Sequence, residues 1–156
     1  MKEKKEKIEI SKASFKNIEK IFYFIKSYFK EIENIKLNTL KVRKTIKNNL
    51  SNKTHQYFII KFKNKEVGLI DVYFREKIAD LCLIYILPQF RKLGIGKKAI
   101  KNVLKILKDK GIRKLLIEIS NENKPSFNFF NKNIFKKFKT KIKSFIYEVK
   151  LKNLFF

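Results

Sequence analysis

The stretch from Leu81 to Ile100 constrains the fold of this chain more than any other, because it joins an apolar run to a helix pattern through a cationic turn. Two of the chain's four glycines, Gly94 and Gly96, lie in that turn. Glycine is favoured where the backbone is left-handed or must approach a neighbour closely. The first amides of a helix are unpaired and carry partial positive charge, so the stretch predicts a strand, a turn and a helix that together cradle an anion.

Two common phosphate-binding motifs do not account for this turn. A P-loop is excluded, because no glycine lies five residues before Gly96 and Lys98 stands where a serine or threonine is required. The residues 94–99 match the dinucleotide pattern G-x-G-x-x-A, but 88–93 separate them from the strand and a predicted β hairpin comes first. The cations in and around the turn favour a pyrophosphate in another fold; they are Arg91, Lys92, Lys97 and Lys98.

The length of 156 residues allows one hydrophobic core, so we expect a single domain spanning 1–156. The charged start of the chain has no signal-peptide pattern, and no apolar run approaches the roughly 20 residues that span a bilayer. We therefore expect a cytoplasmic protein with no membrane association. The single cysteine, Cys82, lies in an apolar run, which predicts a buried core thiol and excludes an internal disulfide.

The formal charge of +25 would suit a nucleic-acid partner. However, 35 of the 39 cationic residues are lysine, and the chain is rich in asparagine, isoleucine, phenylalanine and tyrosine. All of these have AT-rich codons, so a biased genome explains the charge and we expect no nucleic-acid partner. The positive field favours anionic cofactors and disfavours polyamine acceptors unless local carboxylates intervene.

Hydrophobic periodicity predicts a mixed α/β (α+β) fold in which helices flank a mostly antiparallel sheet. The predicted element order is β-α-α-β-β-β-α-β-α-β-β, with a parallel crossover around the helix at 96–110. Helices are also predicted from Ser11 or Ser14 to Ile32, over 39–50 and over 123–133. The predicted strands cover 7–10, 57–62, 67–74, 78–87, 114–119, 138–140 and 144–151.

The predicted order of strands and helices resembles that of the GNAT superfamily of N-acetyltransferases. The family signature Q/R-x-x-G-x-G/A is matched here by Arg91-Lys92-Leu93-Gly94-Ile95-Gly96. The resemblance covers nearly the whole chain and implies a GNAT-like fold with acetyl-CoA as cofactor. It places the pyrophosphate on the amides of 92–97 and the pantetheine arm along 84–86. The implied cofactor-binding residues are Ile84, Tyr85, Ile86, Arg91, Lys92, Leu93, Gly94, Ile95, Gly96, Lys97, Asn123 and Phe130.

A second motif is similar to the same family. Glu118 precedes Asn123 by five residues at the end of a predicted strand, as a glutamate precedes a pantetheine-binding asparagine in the family. The chain departs from the family pattern at two positions: Phe130 replaces the tyrosine proposed to protonate the departing CoA thiolate, and Ile134 replaces a glycine. Tyr85 or Tyr147 is an alternative proton donor.

Acetyl transfer to an amine requires a neutral amine, a polarised carbonyl and a leaving thiolate. Glu118 is the first candidate base, by resemblance to ribosomal-protein alanine acetyltransferases. Asp80 is the second, because it lies eleven residues before Arg91, as does the base of histone-type relatives. A solvated or ion-paired role remains open for both carboxylates. The N–H of Ile86 is the implied oxyanion donor, and His55, with no second histidine or cysteine beside it in sequence, is expected to be a surface or loop residue.

These features predict an N-acetyltransferase that moves an acetyl group from acetyl-CoA to a primary amine by direct attack in a ternary complex. The acceptor remains open between a protein N-terminus, a lysine and a small-molecule amine. The alternative hypothesis is a non-catalytic acyl-CoA-binding or basic ribosome- or RNA-associated protein on the same fold. No metal is expected, and the chain is expected to be a monomer or a homodimer.

Overall fold

The computed structural model describes residues 6–120, 123–131, 136–140 and 144–151. One seven-stranded sheet has the order β1-β2-β3-β4-β5-β7-β6, and among these strands only β4 and β5 pair in parallel. The predicted mixed fold and its element order are confirmed. The strands are β1 Ile8–Lys12, β2 His55–Phe62, β3 Lys65–Arg75, β4 Ile78–Ile86, β5 Lys114–Ser120, β6 Lys136–Thr140 and β7 Ser144–Lys150. The helices are α1 Ile18–Tyr28, α2 Thr39–Asn52, α3 Ile95–Asp109 and α4 Lys124–Asn131.

Two hydrophobic cores lie on opposite faces of the sheet. The first packs the apolar stripe of α3 and part of α4 against one face, with Val103, Leu104 and Phe130 fully buried. The second packs α1 and α2 against the other face around Phe24 and Tyr57. Helices on both faces follow from the period-3.6 stripes of the helices and the apolar central strands. No helix among the described residues is long and apolar enough to cross a membrane.

The predicted first helix is interrupted at both ends. A short 3-10 turn, Phe15–Asn17, precedes α1, because Asn17 accepts a hydrogen bond from the backbone N–H of Ser14 (2.9 Å). After Tyr28 the chain widens into a π-helical turn, Phe29–Glu33, which ends at Asn34 in the left-handed conformation (φ 50°). π-helical turns are rare and often lie at functional sites. This turn brings Glu31 to the edge of the sheet, beside the end of β4.

A β-bulge in β4 changes which face its side chains occupy. Asp71 pairs with Leu83 and the next residue of β3 pairs with Leu81, so Cys82 is the extra residue of the bulge. Leu81 therefore packs on the α3 side, whereas Leu83 packs on the α1–α2 side. The prediction of a buried core thiol is wrong: Cys82 is exposed, because the bulge displaces it from the regular alternation of the strand.

Candidate active site

Ten of the twelve predicted cofactor residues line one cavity of about 760 Å³ between the end of β4, the start of α3 and α4. Its predicted lining residues are Ile84, Tyr85, Ile86, Arg91, Lys92, Gly94, Ile95, Gly96, Lys97 and Phe130. Two predicted residues lie elsewhere. Leu93 is 57% exposed at the surface of the turn, and Asn123 lines a neighbouring cavity instead. Lys124 of α4 also lines the first cavity and was missed, because nothing in the sequence places α4 opposite α3.

The two glycines of the turn meet different physical requirements. Gly94 is left-handed (φ 77°), and it immediately precedes α3. Gly96 is tightly enclosed: an added Cβ would lie 3.2 Å from Ile86 Cδ1 and 3.2 Å from Phe129 Cε2, so these side chains would have to shift to admit it. The N–H of Lys98 donates to Gly94 C=O (3.2 Å) and starts the helix ladder. The amides just before Lys98 therefore have no intrahelical acceptor and suit an anion.

The strand edge beside this turn is open. The N–H of Leu87 donates to Val67 C=O (2.9 Å), and hydrogen-bonded pairs alternate along antiparallel strands. The backbone groups of Ile84 and Ile86 therefore face away from β3, toward β5. Strand β5 pairs with β4 only over 78–80 and 114–116 and then diverges. The resulting gap presents strand-like hydrogen-bonding groups to an extended ligand.

Arg91, the first residue of the signature, makes an ion pair that the sequence did not predict. Its Nε donates to Ile86 C=O (2.8 Å), and its two terminal nitrogens donate to the Glu31 carboxylate, Nη2 at 2.9 Å. Tyr85 Oη also donates to Glu31 (2.9 Å). Hydrogen bonds from Arg91 and then Tyr85 hold the pKa of Glu31 below its usual range, against partial desolvation. Arg91 thus links the π-helical turn to the glycine turn that begins α3, and the Glu31 carboxylate neutralises its charge.

A second cavity of about 410 Å³ fills the gap between β4 and β5. Glu118 lines it, and its neighbours Ile117 and Ile119 belong to the core on the α3 side, so Glu118 faces the opposite side of the sheet. Tyr28, Ile84, Ser126 and Phe130 line both cavities. The two cavities therefore meet at the wall formed by these residues, and we refer to the second as the Glu118 cleft.

The other candidate base, Asp80, is held in an ion pair. Arg75 Nε and Nη2 donate to its two carboxylate oxygens at 2.6 and 2.9 Å. Asp80 does not line either of these two cavities. A carboxylate clamped in this bidentate geometry is a poor base.

Tyr85, one of the two alternative proton donors, is a poor substitute for the family tyrosine in this geometry. Phe130 is fully buried with its ring between the two cavities. Burial, and then the hydrogen bond to Glu31, raise the pKa of Tyr85 to about 12, so that it is a weak acid at neutral pH. The side chain of Tyr147 lies outside the described residues.

His55 is not the surface or loop histidine that we expected. It opens β2, its side chain is 19% exposed, and its Nδ1 lies 2.8 Å from Asp71 Oδ1. Burial raises the pKa of Asp71, and the bond to His55 opposes that shift. Cys82 is the third member of this group. Its thiol is exposed to the Glu118 cleft, yet desolvation by its surroundings and the Asp71 and Asp80 carboxylates raise its pKa to about 12.

Comparison with known proteins agrees with this arrangement. A model of the acetyltransferase (GNAT) family matches residues 18–134. Spermidine N(1)-acetyltransferase from Thermoplasma acidophilum is 32% identical over 84 residues, which are 54% of this chain and 52% of that relative. The chain thus matches about half the length of this curated relative.

Solved structures match over nearly the full chain. PaiA N-acetyltransferase from Thermoplasma acidophilum, in complex with coenzyme A, is 25% identical with a TM-score of 0.76, covering 92% of this chain and 99% of that one. Ribosomal-protein-alanine N-acetyltransferase from Brucella melitensis has the same fold (12% identity, TM-score 0.72, 91% of this chain and 99% of that one).

The fold, together with the match to a family model and to a solved structure that binds coenzyme A, identifies the chain as an acyltransferase. The chain belongs to the acetyltransferase (GNAT) family. The cofactor of this family is acetyl-CoA. The prediction of the family and of its cofactor is confirmed.

Proposed function

We propose that this protein transfers the acetyl group of acetyl-CoA to a primary amine of a cationic, polyamine-type acceptor. The observation that carries the proposal is the junction of the two cavities at Ile84 and Phe130. On one side of this junction lie the open amides of the glycine turn, which suit the pyrophosphate. On the other side lies Glu118, which suits a base for an incoming ammonium group.

The charge distribution supports a cationic acceptor despite the net charge of +25. Asp71, Asp80 and Glu118 each lie between two residues of the α3-side core, so all three face the opposite side of the sheet. Glu148 pairs in register with Leu116 and lies on that same face. Its Oε2 is buried without a hydrogen bond, with Lys114 Nζ at 3.8 Å. Of these carboxylates, Glu118 lines the cleft, and a carboxylate there meets the condition under which a cationic amine can approach this chain.

The proposed reaction proceeds by direct attack. Glu118 accepts a proton from the acceptor ammonium group, and the neutral nitrogen attacks the thioester carbonyl carbon. A C–N bond forms, the C–S bond breaks, and the CoA thiolate leaves while the nitrogen loses its second proton to solvent. A route through an acetylated Cys82 is disfavoured, because a thiol with a pKa of about 12 is almost entirely protonated at neutral pH.

The test measures CoA release with saturating acetyl-CoA and either spermidine or a peptide with a free N-terminus and no cationic side chain. We expect a higher kcat/KM with spermidine. Glu118→Gln should lower kcat by roughly 10²–10⁴-fold, the usual contribution of general base catalysis. The control is Asp109→Asn at the end of α3, an exposed acid that should leave kcat unchanged.

Three results would contradict parts of the proposal. Preference for the peptide would overturn the cationic acceptor but leave acetyl transfer intact. Binding of acetyl-CoA, seen as a raised Tm, without turnover of any amine would favour the non-catalytic acyl-CoA-binding alternative. No change in Tm with acetyl-CoA would refute the cofactor site itself.

A further inference from the structure

The single histidine and the single cysteine of this chain meet at one point in the fold. His55 is the first residue of β2, Asp71 lies in β3 and Cys82 is the bulge residue of β4. One ligand atom from each side chain lies within 4.8 Å of the other two. The three residues belong to adjacent strands, so the sheet itself sets their spacing.

The imidazole of this group is held in place. Its Nδ1 lies 2.8 Å from Asp71 Oδ1, and its ring stacks on Tyr57 (centroids 6.1 Å apart, 21° between planes). The Tyr73 ring is tilted beside it, with centroids 5.0 Å apart. The side chains of His55 and Asp71 are 19% and 13% exposed. Ligands fixed by packing and by a rigid sheet lose little freedom when they bind an ion.

We propose that His55, Asp71 and Cys82 form a three-ligand site for a transition-metal ion of the Zn²⁺ type. Imidazole nitrogen, carboxylate oxygen and thiolate sulfur are the three donor types that bind zinc. Because no two donor atoms are more than 4.8 Å apart, a point exists within about 2.8 Å of all three, and shifts of under about 1 Å reach the 2.0–2.3 Å of a formed zinc site.

The donor set selects the class of ion. Mg²⁺ and Ca²⁺ take oxygen ligands in larger number, whereas one thiolate and one imidazole favour zinc and its neighbours. Binding replaces the Cys82 S–H proton by a metal–sulfur bond and releases that proton to solvent. Cys82 also lines the Glu118 cleft.

The first test follows alkylation of Cys82, the only thiol of the chain, in protein without a histidine tag. Micromolar Zn²⁺ should slow the reaction with iodoacetamide at least tenfold, and EDTA should restore the original rate. This measurement needs no variant. An alkylation rate that does not respond to Zn²⁺ would overturn the proposal.

The second test titrates metal-free protein with Co²⁺. We expect a sulfur-to-cobalt charge-transfer absorption in the near ultraviolet, which is abolished by added Zn²⁺ and absent in Cys82→Ser. His55→Gln should weaken Co²⁺ binding at least a hundredfold, since even indirect ligand supports contribute about 10–100-fold. The control, Asp109→Asn, removes an exposed carboxylate at the end of α3, outside the group, and should bind Co²⁺ as the wild type does. Equal Co²⁺ affinity in Cys82→Ser and wild type would refute the site and leave His55 and Asp71 as a structural pair.

Discussion

Replacing Glu31 by glutamine tests the Arg91–Glu31 ion pair, which links the π-helical turn to the glycine turn that begins α3. The substitution keeps the size of the side chain and removes its charge. Arg91 then loses a bidentate carboxylate partner, and Tyr85 loses a charged acceptor for its hydroxyl. Arg91 and Tyr85 both line the first cavity.

The size of the effect follows from the exposure of the pair. A hydrogen bond to a charged group contributes about 1.5–3 kcal/mol when buried, and an exposed ion pair about 0–1 kcal/mol. The side chains of Arg91 and Glu31 are 36% and 32% exposed, between these limits. We expect Glu31→Gln to lower the free energy of unfolding by about 1–2 kcal/mol, and Tm by about 2–8 °C for a chain of this size.

The assay is thermal or denaturant unfolding of both proteins as a function of pH. The folded-state pKa of Glu31 lies below its ordinary value of 4.5, so the carboxylate stabilises the fold at and above that pH. Its contribution is lost as the pH falls through the lower folded-state value. The stability difference between wild type and Glu31→Gln should therefore be full near neutral pH and shrink below pH 4.5.

A matched pair elsewhere in the chain provides the control. Arg43 donates to Glu19 at 2.9 and 2.8 Å with the same bidentate geometry, but the Glu19 side chain is 72% exposed. Glu19→Gln should therefore destabilise the protein less than Glu31→Gln does. Equal effects of the two substitutions, or a Glu31→Gln effect that is independent of pH, would show that the Arg91 ion pair does not act as the geometry indicates.

Three further substitutions test other parts of the site. Gly94→Ala should destabilise by about 1–2 kcal/mol through its left-handed backbone and raise the KM for acetyl-CoA, whereas Gly111→Ala, equally left-handed (φ 80°) but remote, should change stability alone. Phe130→Tyr should raise kcat without changing the KM for acetyl-CoA if protonation of the leaving thiolate limits the rate; an unchanged kcat would exclude that limit. Asp80→Asn should lower kcat less than Glu118→Gln, and the reverse order in steady-state rates would make Asp80 the base.

Most of the residues that line the first cavity could be predicted from the sequence, because they lie close to one another along the chain. The strand, the turn and helix α3 are contiguous, and Gly94, Gly96 and the lysines around them mark the turn directly. The ion pair between Glu31 and Arg91 could not be predicted, because Glu31 lies 60 residues from Arg91 and on a π-helical turn that has no sequence signal. Lys124 was missed because nothing in the sequence places α4 opposite α3.

The sequence by itself determined the order of the strands and helices, the glycine turn and the family, because hydrophobic period and glycine placement act over a few residues. Only the tertiary structure decided the exposure of Cys82, its meeting with His55 and Asp71, and the gathering of carboxylates on one face of the sheet. These depend on strand register and on a bulge that shifts side chains between faces. Register is set by contacts between distant strands, and a single strand's pattern does not contain it.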